Sequence, residues 1–404
     1  MKKRLLFYCQ PVLGMGHLVR SLAILRGLSG FEIGFINGGL PLSAATVATL
    51  PGNIAIINLP ALQADPEFRG IVAIDPTRNL DEIRAERVSG LLEIFATFNP
   101  DILMIELFPF GRMKFDFELH PLLEAARRRE PAPSIVCSLR DILVAKREQK
   151  DFEDFAIERA NQFFDLILVH SDPTFQPLGE TFPPVDRLTC RIEYTGYVVE
   201  LEPAASNLTG GDQQVVVVSI GGGRVGLELL YAASEASRQI RHSIPHRLHL
   251  FTGPYLPADE FRKRVDNYAG DDDIVIERFT PELVGAMRNA RLSISLAGYN
   301  TCMNILMAGV PSIVHPFTGN ENREQTIRAH KLERAGIVSV ITAEELASGQ
   351  LGPLMTAMLT TPANPDHRLK IDLDGVRKTK ILLTELAGET DLPEKNLPSV
   401  SLKI

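Results

Sequence analysis

The sequence predicts an α/β protein made of two doubly wound parallel-sheet domains. Short apolar runs alternate with helical stretches, and the runs are apolar throughout, which is typical of strands covered on both faces. The alternation stops in a polar stretch at 199–213 that contains Pro and paired Gly, and then starts again. At 404 residues the chain is also long for a single core. We therefore predict Rossmann-like domains over 1–198 and 214–370 that face a cleft, joined by the linker 199–213, with a helix and tail over 371–404.

The first half contains six predicted strands separated by helices. The strands are Leu5–Cys9, Ile33–Asn37, Ile54–Leu59, Asp101–Leu107, Ser134–Leu139 and Leu166–His170. Helices are expected over His17–Leu28 and 80–98, where apolar residues recur at helical spacing. The polar stretch 60–79 is expected to be a long loop, and loops of that length are often functional.

The second half repeats this order. Its predicted strands are Val215–Ile220, Leu248–Thr252, Ile274–Phe279, Leu292–Leu296, Ser312–Phe317 and Ile337–Ile341. Helices are expected over Val225–Arg238 and 375–387, and the tail from 388 is expected to be frayed.

Composition and charge reduce the number of functional classes that fit this sequence. A net charge of −8 and a pI of about 5.7 argue against a general nucleic-acid binder. The four cysteines have no paired spacing, which fits a reducing cytoplasm. No apolar run approaches the roughly 18 residues of a spanning helix. We expect a cytoplasmic protein without a nucleic-acid partner, while peripheral membrane contact and oligomeric state stay open.

Two glycines and a histidine follow the first predicted strand. Gly14 and Gly16 let the backbone turn sharply or approach a ligand. His17 then opens a helix, whose positive end disfavours imidazolium and keeps the ring neutral near pH 7. A neutral imidazole there is a candidate general base, and a capping or packing role is the alternative. The third glycine of the dinucleotide fingerprint is missing, which counts against NAD.

Glu106 ends the fourth predicted strand and is the second candidate catalytic residue. It could orient His17 across the cleft, or equally cap a helix or pair with a cation. Arg112, Arg140 and Asp141 share this edge, where they would bind an acceptor or order loops.

Glycine-rich turns in the second half predict an anion site. Gly221, Gly222 and Gly223 lie between a strand and a helix, where backbone N–H groups can surround a phosphate. Arg224 could add a charge-assisted contact, and a plain tight turn is the alternative. The Lys-Ser/Thr of a P-loop is missing.

The segment 291–336 offers two helix N-termini at strand ends in succession. The polar residues that border them are Asn300, Asn304, Glu324, Gln325 and Arg328. This is the layout of a site for a polar, anionic, sugar-bearing ligand. The acidic runs at 271–273 and 372–374 are interpreted as solvated loops or helix starts, and we expect no metal and no bound cofactor.

Two motifs together resemble glycosyltransferases of the GT-B fold. The first is Gly14-x-Gly16-His17-x-x-Arg20, and the second runs from Gly298-Tyr299-Asn300-Thr301 through Pro316-Phe317 to Glu324-Gln325-x-x-Arg328. The nearest likeness is the MurG-type branch, with a family 28-type C-terminal domain, and its "predicted glycosyltransferases". The phrases at 108–112 and 138–141 match that last set.

The resemblance implies that the C-terminal half binds a nucleotide sugar, usually a UDP-sugar, as substrate. The residues expected to bind it are Gly14, Gly16, Gly221, Gly222, Gly223, Arg224, Thr252, Phe279, Gly298, Tyr299, Asn300, Thr301, Asn304, Glu324, Gln325 and Arg328. One position departs from the family, because Asn304 stands where the family has a ribose-binding Glu. An Asn bonds a ribose hydroxyl more weakly than a carboxylate does.

The implied reaction is direct displacement at the anomeric carbon with inversion, with His17 as general base and an unidentified acceptor. A nucleotide-sugar hydrolase is the first alternative, since the UDP-sugar hydrolase of pseudaminic acid synthesis has a similar Gly-x-Gly-His-x-x-Arg start. A non-catalytic nucleotide-sugar-binding protein is the second.

Overall fold

The computed structural model describes residues 2–11, 15–64, 70–199, 214–319, 323–361 and 371–388. These form two compact units, one made of residues 2–199 with 371–388 and the other of residues 214–361. Gly14, nearly all of the predicted linker and the tail beyond 388 lie outside the described residues. Within the described chain, no helix is both long and apolar enough to cross a membrane.

The first unit alternates strands and helices. Its strands are β1 (Arg4–Cys9), β2 (Glu32–Asn37), β3 (Ile54–Asn58), β4 (Leu62–Ala64), β5 (Ile71–Ala73), β6 (Ile102–Glu106), β7 (Ser134–Leu139), β8 (Leu166–Val169) and β9 (Arg191–Tyr194). Its helices up to that point are α1 (Met15–Gly27), α2 (Ala44–Ala48), α3 (Leu80–Phe98), α4 (Asp116–Arg128) and α5 (Gln149–Phe163). Short 3₁₀ turns lie at Met113–Phe115, Leu178–Glu180 and Pro183–Arg187.

Seven of these strands form one parallel sheet in the order β3-β2-β1-β6-β7-β8-β9. The order reverses between β1 and β6, which defines the switch point where ligands bind in doubly wound sheets. Successive residues of β1 face opposite sides: Leu5 and Phe7 pack in one core cluster, Leu6 and Tyr8 in the other. Both faces are therefore buried, as the continuous apolar strands predicted.

The described part of the second unit repeats the strand order of the first six sheet strands of the first unit, without the hairpin and the edge strand β9. Its strands are β10 (Gln214–Ser219), β11 (His246–Phe251), β12 (Ile274–Glu277), β13 (Leu292–Leu296), β14 (Ser312–His315) and β15 (Val338–Val340). Its helices are α6 (Leu227–Ile240), α7 (Ala258–Asn267), α8 (Leu283–Asn289), α9 (Tyr299–Ala308), α10 (Glu324–Arg334), α11 (Ala343–Ala347) and α12 (Leu351–Thr360). The parallel order is β12-β11-β10-β13-β14-β15, with the switch point between β10 and β13.

The last described helix, α13 (Gly375–Leu386), packs against α1 of the first unit. Leu383 is fully buried in the core cluster that contains Leu22. The segment before the helix is held by backbone bonds, since the Tyr197 N–H donates to the Asp372 carbonyl over 2.7 Å. The fold class predicted from the sequence, two parallel Rossmann-like sheets, is confirmed.

Two details of the first unit differ from the prediction. The stretch 60–79 is not a plain loop, because Leu62–Ala64 and Ile71–Ala73 pair as an antiparallel hairpin. The edge strand β9 was not predicted at all. It alternates charged and apolar residues and is more exposed than its neighbours, so it lacks the continuous apolar run of a buried strand.

Candidate active site

His17 and Glu106 meet at the switch point of the first sheet. His17 is the third residue of α1, which follows β1, and Glu106 is the last residue of the neighbouring strand β6. The His17 Nδ1 atom lies 2.6 Å from Glu106 Oε1. The Glu106 side chain is fully buried, whereas 14% of the His17 side chain is exposed. The histidine therefore has one nitrogen hydrogen-bonded within the protein, and a small part of its side chain is exposed.

The partner of Nδ1 fixes the tautomer of His17. An ionised carboxylate only accepts hydrogen bonds, so Nδ1 carries the proton and donates it to Glu106. The Nε2 atom then holds a lone pair and can accept a proton from a substrate hydroxyl. This is the orientation that a general base requires.

The electrostatics keep His17 neutral and Glu106 charged. Burial lowers the pKa of His17 to about 4, with Arg112 adding to the effect and Glu106 opposing it. Burial alone would raise the pKa of Glu106, but the charge and hydrogen bond of His17, with Arg20 and Arg112, lower it to about 2. At pH 7 a neutral imidazole thus faces an anionic carboxylate.

Arg20 is a site residue that the predicted set omitted. Its Nη2 donates to Glu106 Oε1 over 2.5 Å, and its side chain is 2% exposed. The signal was present, because residues three apart share a helix face, so His17-x-x-Arg20 places both side chains toward the same carboxylate. Glu106 therefore both orients His17 and pairs with a cation, two of the roles left open by the sequence.

A second buried histidine at this edge has a different role. His170 follows β8, and its Nε2 and Nδ1 lie 2.8 Å from Ser138 Oγ and 2.9 Å from Thr195 Oγ1. Burial lowers its pKa to about 3, and Arg20 adds to the effect. Because both of its nitrogens are engaged within the protein, His170 braces strand ends and is not available as a base.

In the second unit the glycine turn after β10 packs tightly on the loop after β11. Gly223 has φ +85°, and a Cβ there would lie 2.4 Å from the Thr252 carbonyl oxygen. Gly253 also has φ +85°, and a Cβ there would lie 2.4 Å from the Gly223 nitrogen. Both positions need glycine for backbone conformation and for close approach. Gly253 was not predicted, although its position after a strand end was a usable signal.

The other end of this turn points toward α9. A Cβ at Gly221 would lie 4.0 Å from Thr301 Oγ1, in the first turn of α9. Gly298 is the N-cap of α9 and makes no side-chain cap, and a Cβ there would find no atom of the described residues within 4 Å. Among the described residues, the N-terminus of α9 is thus open on its Gly298 side, next to the turn at 221–223. The structure brings the two predicted anion-binding turns together at the switch point between β10 and β13.

Residues of α10 anchor the backbone next to these two turns. Arg328 is 1% exposed, and its guanidinium donates to Glu324 Oε1 over 2.7 Å and to the Ala297 carbonyl over 3.2 Å. Gln325 Oε1 accepts from the Phe317 N–H over 3.0 Å. These contacts tie α10 to the backbone that leads into α9 and to the loop after β14.

The remaining predicted residues lie around the same edge. Arg224 is exposed with its guanidinium 5.2 Å from the centroid of the Tyr255 ring, and Phe279 is 64% exposed beyond β12. Thr252 is fully buried, and its Oγ1 has no hydrogen-bond partner within the described residues. The half-buried Asn304 lies one turn after Thr301 on α9. The described residues contain no group of three His, Cys, Asp or Glu side chains placed to hold a metal ion.

Solved structures with a similar fold identify the structural class of this protein. The calicheamicin glycosyltransferase aligns over 97% of this chain and 100% of its own, with a TM-score of 0.64 and 15% identity. UDP-GlcNAc 2-epimerase from Methanocaldococcus jannaschii aligns over 95% and 99%, with a TM-score of 0.59 and 13% identity. The chain has the GT-B fold of two Rossmann-like units, which serves more than one reaction.

Sequence similarity adds a match in the C-terminal part of the chain. Residues 216–373 match the model of the glycosyltransferase family 28 C-terminal domain. A relative from Caulobacter vibrioides is UDP-N-acetylglucosamine--N-acetylmuramyl-(pentapeptide) pyrophosphoryl-undecaprenol N-acetylglucosamine transferase. It is 24% identical over 197 residues, or 47% of this chain and 54% of the relative. The chain thus spans about half the length of the curated relatives it matches.

Proposed function

We propose that this chain is a glycosyltransferase that moves a sugar from a nucleotide sugar, a UDP-sugar, to an acceptor hydroxyl with inversion. The observation that carries the proposal is the hydrogen bond of 2.6 Å between His17 Nδ1 and Glu106, which leaves Nε2 of a neutral imidazole free to act as base. The family 28 C-terminal domain in the same chain supports a nucleotide-sugar donor.

In the proposed reaction the acceptor oxygen attacks the anomeric carbon of the donor. A C–O bond forms there as the bond between the sugar and the β-phosphate oxygen breaks, and UDP leaves with the electron pair. The acceptor proton passes to His17 Nε2, giving an imidazolium that the Glu106 carboxylate stabilises. Attack opposite the leaving group inverts the anomeric configuration.

The donor diphosphate is proposed to bind between the turn at 221–223 and the N-terminus of α9. Backbone N–H groups at Tyr299, Asn300 and Thr301 lie in the first helical turn, where they have no intrahelical acceptor. These groups and the helix dipole would meet the negative charge that develops on the leaving diphosphate.

The remaining donor contacts are proposed from the family resemblance. Asn304 would bond a ribose hydroxyl, Glu324 and Gln325 would contact the donor sugar, and Phe279 would lie against the base. Arg328 would act indirectly, since its guanidinium is bound to Glu324 and to the Ala297 carbonyl.

The test uses purified full-length protein with UDP-, GDP- and dTDP-sugars. We expect UDP-sugars to raise the melting temperature most, because a ligand that binds only the native state stabilises it. We also expect release of UDP to speed up when a suitable acceptor is added. No stabilisation by any of these donors, and no nucleotide release, would contradict the proposal.

The same experiment separates the alternatives. Rapid UDP release without acceptor, with free sugar as product, identifies a hydrolase that uses water as acceptor. Conversion of the nucleotide sugar to an epimer identifies an epimerase, the activity named for one of the structures with this fold. Binding with no turnover under any acceptor condition identifies a nucleotide-sugar-binding protein.

A further inference from the structure

The loop after β6 is anchored in the core by its aromatic residues. Phe108 is fully buried and Phe110 is 2% exposed. The Phe110 ring packs edge-on against Phe182 with a centroid distance of 5.1 Å, and Phe108 packs edge-on against Phe155 at 6.0 Å. The sequence Phe-Pro-Phe-Gly-Arg thus fixes a loop whose last residue is Arg112.

The backbone of this loop is held in an unusual conformation at both ends. Leu107 has φ +67° and Arg112 has φ +60°, the left-handed region that side chains other than glycine rarely adopt. Such residues persist only where the surrounding structure imposes them, and they concentrate at functional sites. The fold accepts this cost to place Arg112 at the edge of the sheet that carries Glu106.

Two nitrogens of the half-buried Arg112 side chain lack hydrogen-bond partners among the described residues. Its Nε and Nη2 atoms are buried and form no hydrogen bond within the described residues. The Glu106 carboxylate is close enough for Arg112 to lower its pKa. Its Oε1 accepts from His17 and Arg20, and its buried Oε2 forms no hydrogen bond within the described residues. The Glu106 charge offsets part of the cost of burying this guanidinium, but two of its nitrogens have no hydrogen-bond acceptor in the described part of the chain, and an anionic ligand would supply one.

Other cations surround the same place. Lys114 follows Arg112, while Arg140 and Lys146 lie beyond the end of the neighbouring strand β7. Desolvation of the Lys146 ammonium, which is 5.8 Å from the Phe152 ring centroid, lowers its pKa, and the charges of Arg112, Lys114 and Arg140 lower it further. Asp141 Oδ1 lies 3.9 Å from Arg140 Nε. This edge is therefore rich in positive charge in a protein of net charge −8.

We propose that the acceptor carries an anionic group, a phosphate or a carboxylate, and that Arg112 binds it next to the His17–Glu106 pair. That the anion belongs to an acceptor rests on the proposed transfer function. The anion site itself is inferred only from residues of the first unit. The planar guanidinium donates through two parallel N–H groups, which suits both anions. The bound anion would hold the acceptor so that its hydroxyl reaches His17 Nε2.

The first test measures anion binding without turnover. Inorganic phosphate and acetate are titrated into the full chain in saturating UDP, which occupies diphosphate sites in the second unit. We expect one of the two anions to bind at least ten-fold more weakly to Arg112→Met than to wild type. Arg84→Met is the matched control, since it removes an exposed arginine paired with Asp81, and it should bind as wild type does.

Arg112→Lys keeps the charge and loses the two-pronged geometry, so it tests the site even if Arg112→Met folds poorly. It should bind the anion with intermediate affinity and melt as wild type does. Equal anion affinity in wild type, Arg112→Met and Arg112→Lys would overturn the proposal. This result does not depend on catalysis, so a failure of the proposed transferase activity is seen separately as absence of nucleotide-sugar turnover.

The second test compares acceptors in charge pairs. Glycerol 3-phosphate and glycerate are each compared with glycerol under transfer conditions, which also separates phosphate from carboxylate. We expect a charged member to react with a lower KM, and Arg112→Met to raise that KM at least ten-fold while leaving the KM for the donor unchanged. If Arg112→Met instead lowers kcat equally for charged and neutral acceptors, Arg112 serves only to position Glu106 and the proposal is wrong.

Discussion

At the residue scale, the protonation of His17 sets the pH dependence of the proposed reaction. The base must be neutral, and burial lowers its pKa to about 4, so the active fraction rises through pH 4 and is complete above about pH 5. We predict that kcat/KM is flat between pH 5 and pH 8 in donor-saturated assays. A histidine with the ordinary pKa of about 6.5 would give an inflection in this range, which would contradict the account.

Glu106→Gln tests the other half of the pair. The variant removes the charge that stabilises the imidazolium, and we predict a fall in kcat of about 10²-fold or more with donor affinity unchanged. The carboxylate raises the pKa of His17, so its removal cannot bring an inflection into the range from pH 5 to pH 8. Wild-type kcat in this variant would contradict the assigned role.

At the element scale, the N-terminus of α9 carries the proposed diphosphate site. Gly298 has φ −65° and ψ 153°, which any N-cap residue adopts, and no atom of the described chain lies within 4 Å of a Cβ built there. We predict that Gly298→Asp changes the free energy of unfolding by no more than about 0.5 kcal/mol, because Asp is also a good N-cap. Its carboxylate would repel the diphosphate, and UDP affinity measured by titration calorimetry should fall at least ten-fold.

Gly298→Asn is the matched control, since it has the same shape without the charge. Its UDP affinity should stay within about three-fold of wild type, because an N-cap amide adds no like charge. If Gly298→Asp binds UDP as tightly as wild type, the diphosphate does not bind at the N-terminus of α9.

Elements also show where sequence reasoning succeeded and why it stopped. The buried strands were predicted because each is a continuous apolar run, as at Leu5–Cys9. The run Ile274–Phe279 extended two residues too far, since β12 ends at Glu277 and Phe279 is exposed. Helix α6 begins at Leu227 and not at Val225, because Gly226 at φ +92° forms its N-cap. These boundaries depend on backbone conformations that an apolar pattern does not encode.

The sequence predicts those candidate site residues that lie at the end of a strand or at the start of a helix, because both features can be recognised from neighbouring residues. His17 and Glu106 are 89 residues apart, and their pairing follows from β1 and β6 being neighbours in the sheet. Each position was predictable as a strand end or helix start, whereas the contact between them required the strand order. The spacing of Arg20 from His17 puts both side chains on one helix face, but only the strand order shows that Glu106 is the carboxylate they meet.

At the scale of the whole molecule, the chain combines two units that share the order of six sheet strands and differ in chemistry. The switch point of the first holds titratable side chains, with a neutral imidazole on a buried carboxylate. The switch point of the second holds glycines and an open helix N-terminus. This division is what the proposed base in the first unit and the proposed anion site in the second require, and it predicts that donor binding and catalysis can be separated by mutation.

The most direct test of this division compares His17→Ala with wild type in one sample series, measuring UDP-sugar affinity by calorimetry and acceptor-dependent UDP release by product analysis. We predict unchanged donor affinity and a fall in kcat of at least 10²-fold, with the exposed His330→Ala variant as the matched control that retains both. Acceptor-dependent release at the wild-type rate from His17→Ala would contradict the account.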